Sequence, residues 1–205
     1  MNPRPRDTLV SRRSWLLAGL TVSVSSAFGE QQLQVRYDGD TLRVTDPTLH
    51  FLTGKALERL KDGDAVAYMA NLELVNDSRT LTIRQQRGRF VVSYALWEEK
   101  FSVTQLASRP STVDGLSIQA AEAWCFDSLS LSTMGLSADS FYWLRFDIRT
   151  ATARDIAAEG MPGFSISRMI EWLGKKNSEQ TQWGPLERRV RLADLPRIAG
   201  RGSRG

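Results

Sequence analysis

A single cysteine and a single histidine are the scarcest residues in this 205-residue chain. One cysteine excludes an internal disulfide framework, and one of each leaves too few of the usual sulfur and nitrogen ligands for a zinc centre. A serine or cysteine nucleophile needs a base within hydrogen-bond reach, almost always histidine. The sole candidate is His50, between Leu49 and Phe51, and a partly buried histidine at a strand end is the better reading of it. Cys125, flanked by Trp124 and Phe126 on the apolar side of an expected helix, reads as an inert core thiol. The apolar stretch from Trp15 to Phe28 is 14 residues, short of the ~20 that a membrane-spanning helix wants.

Other chemical signatures are missing as well. Gly160-Met161-Pro162-Gly163 and Gly200-Arg201-Gly202 lack the strand before and helix after that a phosphate-cradling loop requires. No EF-hand spacing is present, so no metal and no cofactor is expected. Paired carboxylates do occur, at Asp38 with Asp40, Asp62 with Asp64, and Glu98 with Glu99. All three pairs fall at turns or element ends, where acidic residues are expected because water is there. The formal charge of +4 is a matter of location, since residues 1 to 29 alone carry +3. Nucleic acid is therefore not an expected partner.

What is present begins with a leader. A basic head ending at Arg12-Arg13, an apolar middle, and small residues at Ala27 and Gly29, or Ser25 and Ala27, are the three parts of a secretory signal. Residues 1 to 29 are read as that signal, with an uncleaved anchor as the alternative. Ser11-Arg12-Arg13-Ser14-Trp15-Leu16 resembles the twin-arginine export motif, though paired arginines also occur in ordinary signals. The expected location is the periplasm or the exterior.

Beyond the leader, alternation of period two dominates. Leu33, Val35 and Tyr37 lead into Asp38-Gly39, a tight-hairpin signal, and then Leu42 and Val44. Val66, Tyr68, Ala70, Leu72 and Leu74 mark one face of a long strand that ends at the turn residues Asn76-Asp77-Ser78. Leu81 and Ile83 open another strand, Arg87-Gly88 suggests a hairpin, and Phe90, Val92, Tyr94 and Leu96 run back. Phe101 and Val103 continue the sheet, and Tyr142, Leu144, Phe146 and Ile148 form a late strand. Three helices are expected: one capped by Thr53 and running through Lys61, one capped by Asp114 or Ser117 and running to Asp127, and Ser165 to Leu173. The fold class is mainly β with short helices (α+β), as an antiparallel bent sheet or a β-sandwich. The expected division is a β-rich domain over 30–164, then a basic amphipathic helix and tail over 165–205.

This order resembles an uncharacterised bacterial family of exported proteins, domain-of-unknown-function family 4390, over roughly residues 33 to 195. The carriers are Tyr37-Asp38-Gly39, Leu52 to Leu60 with Gly63, Val66 to Leu74, and Arg89 to Tyr94. The helix ending near Trp124, Tyr142 to Ile148, Trp183-Gly184-Pro185-Leu186 and Arg191-Leu192 complete them. Trp124-Cys125-Phe126 is bulkier than the pattern. The resemblance implies an exported β-rich domain and brings no catalytic residues with it.

The last 41 residues carry +5, which leaves 30–164 at −4. A binding surface is expected there, built from Arg168, Trp172, Lys175, Lys176, Trp183, Arg188, Arg189 and Arg191, facing an envelope protein or an anionic membrane. The leading expectation is a non-enzymatic envelope binding or accessory domain. The alternatives are a hydrolase of envelope polysaccharide or peptide using carboxylates such as Asp40, Glu73 or Glu99, and a membrane-surface or sheet-edge adaptor.

Overall fold

The computed structural model describes residues 33–152, 155 and 180–196, all within the compact unit Gln31–Gly205. The leader and the expected helix at Ser165 to Leu173 lie outside the described residues. Among the described residues nine strands and two helices follow in the order β1 (Gln34–Tyr37), β2 (Thr41–Thr45), α1 (Gly54–Lys61), β3 (Val66–Asn76), β4 (Thr82–Ala95), β5 (Lys100–Gln105), β6 (Ser111–Leu116), α2 (Ile118–Asp127), β7 (Leu131–Ser132), β8 (Phe141–Ala151) and β9 (Gln182–Arg191). They form two antiparallel sheets, one ordered β1-β2-β7 and the other β6-β5-β4-β3-β8-β9. The mainly β, α+β expectation is met. Among the described residues no helix is long and apolar enough to cross a membrane.

Alternation sets the layers. Tyr68, Ala70, Leu72 and Leu74 of β3 share the inner face of the large sheet with Phe90, Val92, Val103, Leu144, Phe146, Ile148 and Leu186. The small sheet and α2 cover this face with Val35, Leu42, Val44, Ala121, Cys125 and Phe126, giving one continuous buried core. The outer face is polar around Asn71, Glu73, Arg145 and Asp147. At one end it carries a small apolar group of Ala67, Val91, Leu106 and Ala151.

Several local expectations hold for chemical reasons. Asp38 Oδ1 accepts from the amides of Asp40 and Thr41, and Gly39 supplies φ +103 at the first hairpin. Asn76 Oδ1 accepts from Thr80 and Leu81 and closes the β3–β4 turn. Ser117, not Asp114, caps α2 by accepting from Ala120 N, and Asp114 lies in β6, a strand that the hydropathy pattern concealed.

Two expectations need correction. Arg87-Gly88 is not a hairpin: β4 runs unbroken for 14 residues, and the turn lies earlier, at 77–81. The glycine serves packing instead. A Cβ at Gly88 would stand 2.7 Å from the Phe90 ring and 2.8 Å from Leu129 Cδ2. The other correction is the boundary at 164/165. Trp183 to Arg191 belongs to β9, which pairs with β8 from Phe141↔Arg191 to Arg149↔Gln182 and so completes the sheet of the preceding region.

Candidate functional site

A cavity of about 330 Å³ opens between the loop after β2 and one side of α2, with Arg36 of β1 at its margin. Its walls combine Leu49, Pro47, Ala123 and Phe126 with the polar residues Asp46, His50, Gln119, Glu122 and Asp127. The loop is shaped by Asp46, whose Oδ1 accepts from Thr48 N at 2.8 Å and from Thr48 Oγ1 at 2.6 Å. Such a side-chain-to-backbone ring is the usual chemistry of an Asp before a turn. Asp46 is only 4% exposed, and its other oxygen, Oδ2, is buried without a hydrogen-bond partner.

Glu122 ties the loop to the helix. Its Oε1 accepts from the backbone N–H of Phe51 at 2.8 Å and of Leu52 at 2.9 Å, and His50 Nδ1 lies 2.9 Å from Oε2. The carboxylate is buried whereas the imidazole is half exposed. The two donated amides belong to the residues that lead into α1, so the carboxylate replaces partners the chain itself cannot offer there. The arrangement orients His50, and with Nδ1 donating to Glu122 the other ring nitrogen is left for the solvent side. Beside it, Arg36 approaches Asp127 at 3.6 Å at the more exposed rim.

Glu122 and Asp46 were missed in the sequence, though each left a signal. Glu122 falls on the same helical stripe as Ile118, Ala121 and Cys125, so a carboxylate at that position must be buried and must find donors. Asp46 precedes Pro47-Thr48 directly after a strand. Cys125 is buried as expected, and burial pushes its thiol well above the ordinary range.

The expected binding residues separate in space. Arg168, Trp172, Lys175 and Lys176 lie outside the described residues. Trp183 is half-buried and packs edge-on to Phe51, with centroids 6.2 Å apart, and beside Tyr68 at 6.3 Å. Arg188 donates to the Leu33 carbonyl at 2.9 Å. These two serve the core side of β9. On the other side, Arg189 grips Asp77 through two 2.8 Å bonds and lies over the Phe141 ring, while Arg191 binds both oxygens of Asp194. The four described members therefore do not form one surface, because alternation along a strand sends neighbours to opposite faces.

The carboxylates considered for hydrolysis are also dispersed. Asp40 is in the β1–β2 turn, Glu99 at the β4–β5 tip with φ +52, and Glu73 on the outer face of β3. Glu73 does have an acidic neighbour. Asn71 Nδ2 donates to Glu73 Oε1 at 3.0 Å and to Asp147 Oδ1 at 3.4 Å. Partial burial raises the Asp147 carboxyl from its ordinary value, with the nearby Glu73 charge adding to it. Among the described residues no group of three or more His, Cys, Asp or Glu is placed to hold a metal ion. No family model, no curated protein and no solved structure matches the chain.

Proposed function

We propose that this protein is a non-enzymatic binding domain of the bacterial cell envelope, exported by its leader, as the resemblance to family 4390 also implies. The observation that carries the reading is the use made of Glu122. The best-placed acidic group at the described cavity spends one oxygen on two backbone amides and the other on His50, so it holds the walls and is not available to shuttle protons. The cavity beside it retains apolar walls and a few polar groups, the usual makeup of a site that retains a small ligand. The exposed hairpin tip of Leu96 and Trp97, the latter 100% exposed, gives the same molecule a second apolar feature suited to contact with a larger partner.

A second reading, hydrolysis of envelope polysaccharide or peptide, draws support from the placement of Glu73 and Asp147, two carboxylates that share the Asn71 side-chain amide, since glycosidic acid–base chemistry uses a pair of carboxyl groups. One experiment separates the two. The tagged full chain is located by cell fractionation, then purified and incubated with peptidoglycan and envelope oligosaccharide. The expected result is recovery in the envelope or periplasmic fraction and no new fragments by mass spectrometry. Cytoplasmic retention would overturn export. Fragments that disappear in Glu73→Gln or Asp147→Asn would replace the binding reading with the hydrolase.

A further inference from the structure

We infer that the cavity between the β2–α1 loop and α2 takes a small organic cation: an ammonium or guanidinium group on a short apolar body, with the charged head on Asp46. The inference rests on the binding-domain reading and names the ligand class for its site.

The charge around the cavity sets the sign. Among the described residues, three carboxylates, from Asp46, Glu122 and Asp127, border it against the single guanidinium of Arg36. Glu122 is fully engaged by Phe51, Leu52 and His50, and Arg36 is spent on Asp127 at the rim. Asp46 remains. Its Oδ1 already accepts twice from Thr48, yet its Oδ2 has no donor although the residue is 96% removed from solvent. A buried carboxylate oxygen without a donor is costly, and a positively charged N–H is the partner that compensates it best. An anionic ligand would meet two or more carboxylates with no free cation among the described residues to receive it.

Size and wall chemistry fix the rest of the ligand. About 330 Å³ lies at the small end of ligand sites. It has room for about ten non-hydrogen atoms, judged from the ~30 Å³ share of one water. Leu49 and Phe126 are buried, apolar and on the lining, so the body of the ligand should be a short hydrocarbon chain or ring edge. A free amine, an amino sugar or a basic side chain at the end of a peptide would each present the required head. The feature they share is a cationic nitrogen with one or more N–H donors.

The test uses three probes of equal length and different charge. The 15N-labelled full chain is titrated with n-pentylammonium, 1-pentanol and pentanoate, following backbone amide shifts. The expected result is saturable movement of the Thr48, Gln119 and Glu122 amides with n-pentylammonium, and binding at least tenfold weaker for the other two. Asp46→Asn keeps the Oδ1 acceptor for Thr48, and should lower n-pentylammonium affinity at least tenfold while leaving 1-pentanol unchanged. Ala123→Phe, at an exposed position of α2, should fill the cavity and abolish all three responses. Pentanoate binding at the same amides as tightly as n-pentylammonium, or full affinity in Asp46→Asn, would overturn the cationic assignment while leaving the cavity a binding site. The absence of saturable shifts with any probe would overturn the cavity itself. Should Asp46→Asn fail to fold, the charge series on the unmodified chain still decides the matter.

Discussion

Glu122 shows at the scale of one residue how a group with catalytic potential becomes part of the scaffold. Two buried amides depend on one of its oxygens, so removing the carboxylate strands both in an environment without water. Glu122→Ala should therefore cost about 3 kcal/mol or more in denaturant unfolding, while Glu122→Gln, which keeps the acceptor, should cost about half of that. Equal losses in the two variants would contradict a role as acceptor. Tyr68 makes the opposite case. Its hydroxyl is buried without a partner, and burial raises it well above the ordinary phenol range. Tyr68→Phe should be neutral or should stabilise by up to about 1 kcal/mol, since only an unsatisfied polar atom is removed. The hydrogen-bonding state of neither residue was legible in the sequence, because a helix stripe or strand alternation shows which side chains turn inward but not which donors meet them.

Elements were more legible where local chemistry and tertiary packing agree. The Asp38-Gly39 hairpin, the Asn76 turn and the Ser117 cap each carry their own hydrogen bonds within a few residues, and sequence reading placed them accordingly. Gly88 misled because its reason is distant: Leu129, far along the chain, and the Phe90 ring both need the space that a side chain would occupy. Gly88→Ala should cost about 1–3 kcal/mol by thermal or denaturant unfolding, as overpacking in a full core does. An unchanged midpoint would contradict the packing role of the glycine. β9 was invisible for a related reason. Gly184-Pro185 interrupts its alternation, and its own three arginines, Arg188, Arg189 and Arg191, are each engaged by the protein's own acceptors, Leu33 O, Asp77 and Asp194. Charge counts in a sequence cannot distinguish an arginine that waits for a partner from one already holding an aspartate.

Across the whole molecule, the two faces of the large sheet have different tasks: one carries the core, the other an ionic lattice. That lattice should shape acid unfolding. Asp155 is held down to about 2 from 3.8, first by the Arg149 guanidinium and then by the Thr152 amide. The unfolded chain titrates near 3.8, so this stabilisation is complete above that pH and drains away as pH falls toward about 2. Its loss should amount to about 1 kcal/mol once solvent screening is allowed for, and Asp155→Asn should remove that part of the pH dependence. Asp147 has the reverse sign. With its folded carboxyl raised by burial, stability should increase as pH falls through its folded value, and Asp147→Asn should raise the melting temperature at neutral pH. A melting temperature lowered by that substitution would contradict the assignment. The central claim is that the chain holds a ligand without transforming it. Native mass spectrometry of the full chain, mixed with a solubilised envelope fraction, tests this most directly. The account expects a bound small molecule on the unmodified protein, none on Ala123→Phe, and the same mass for that molecule before binding and after release. A molecule released at a new mass, with conversion dependent on Glu73 or Asp147, would contradict it.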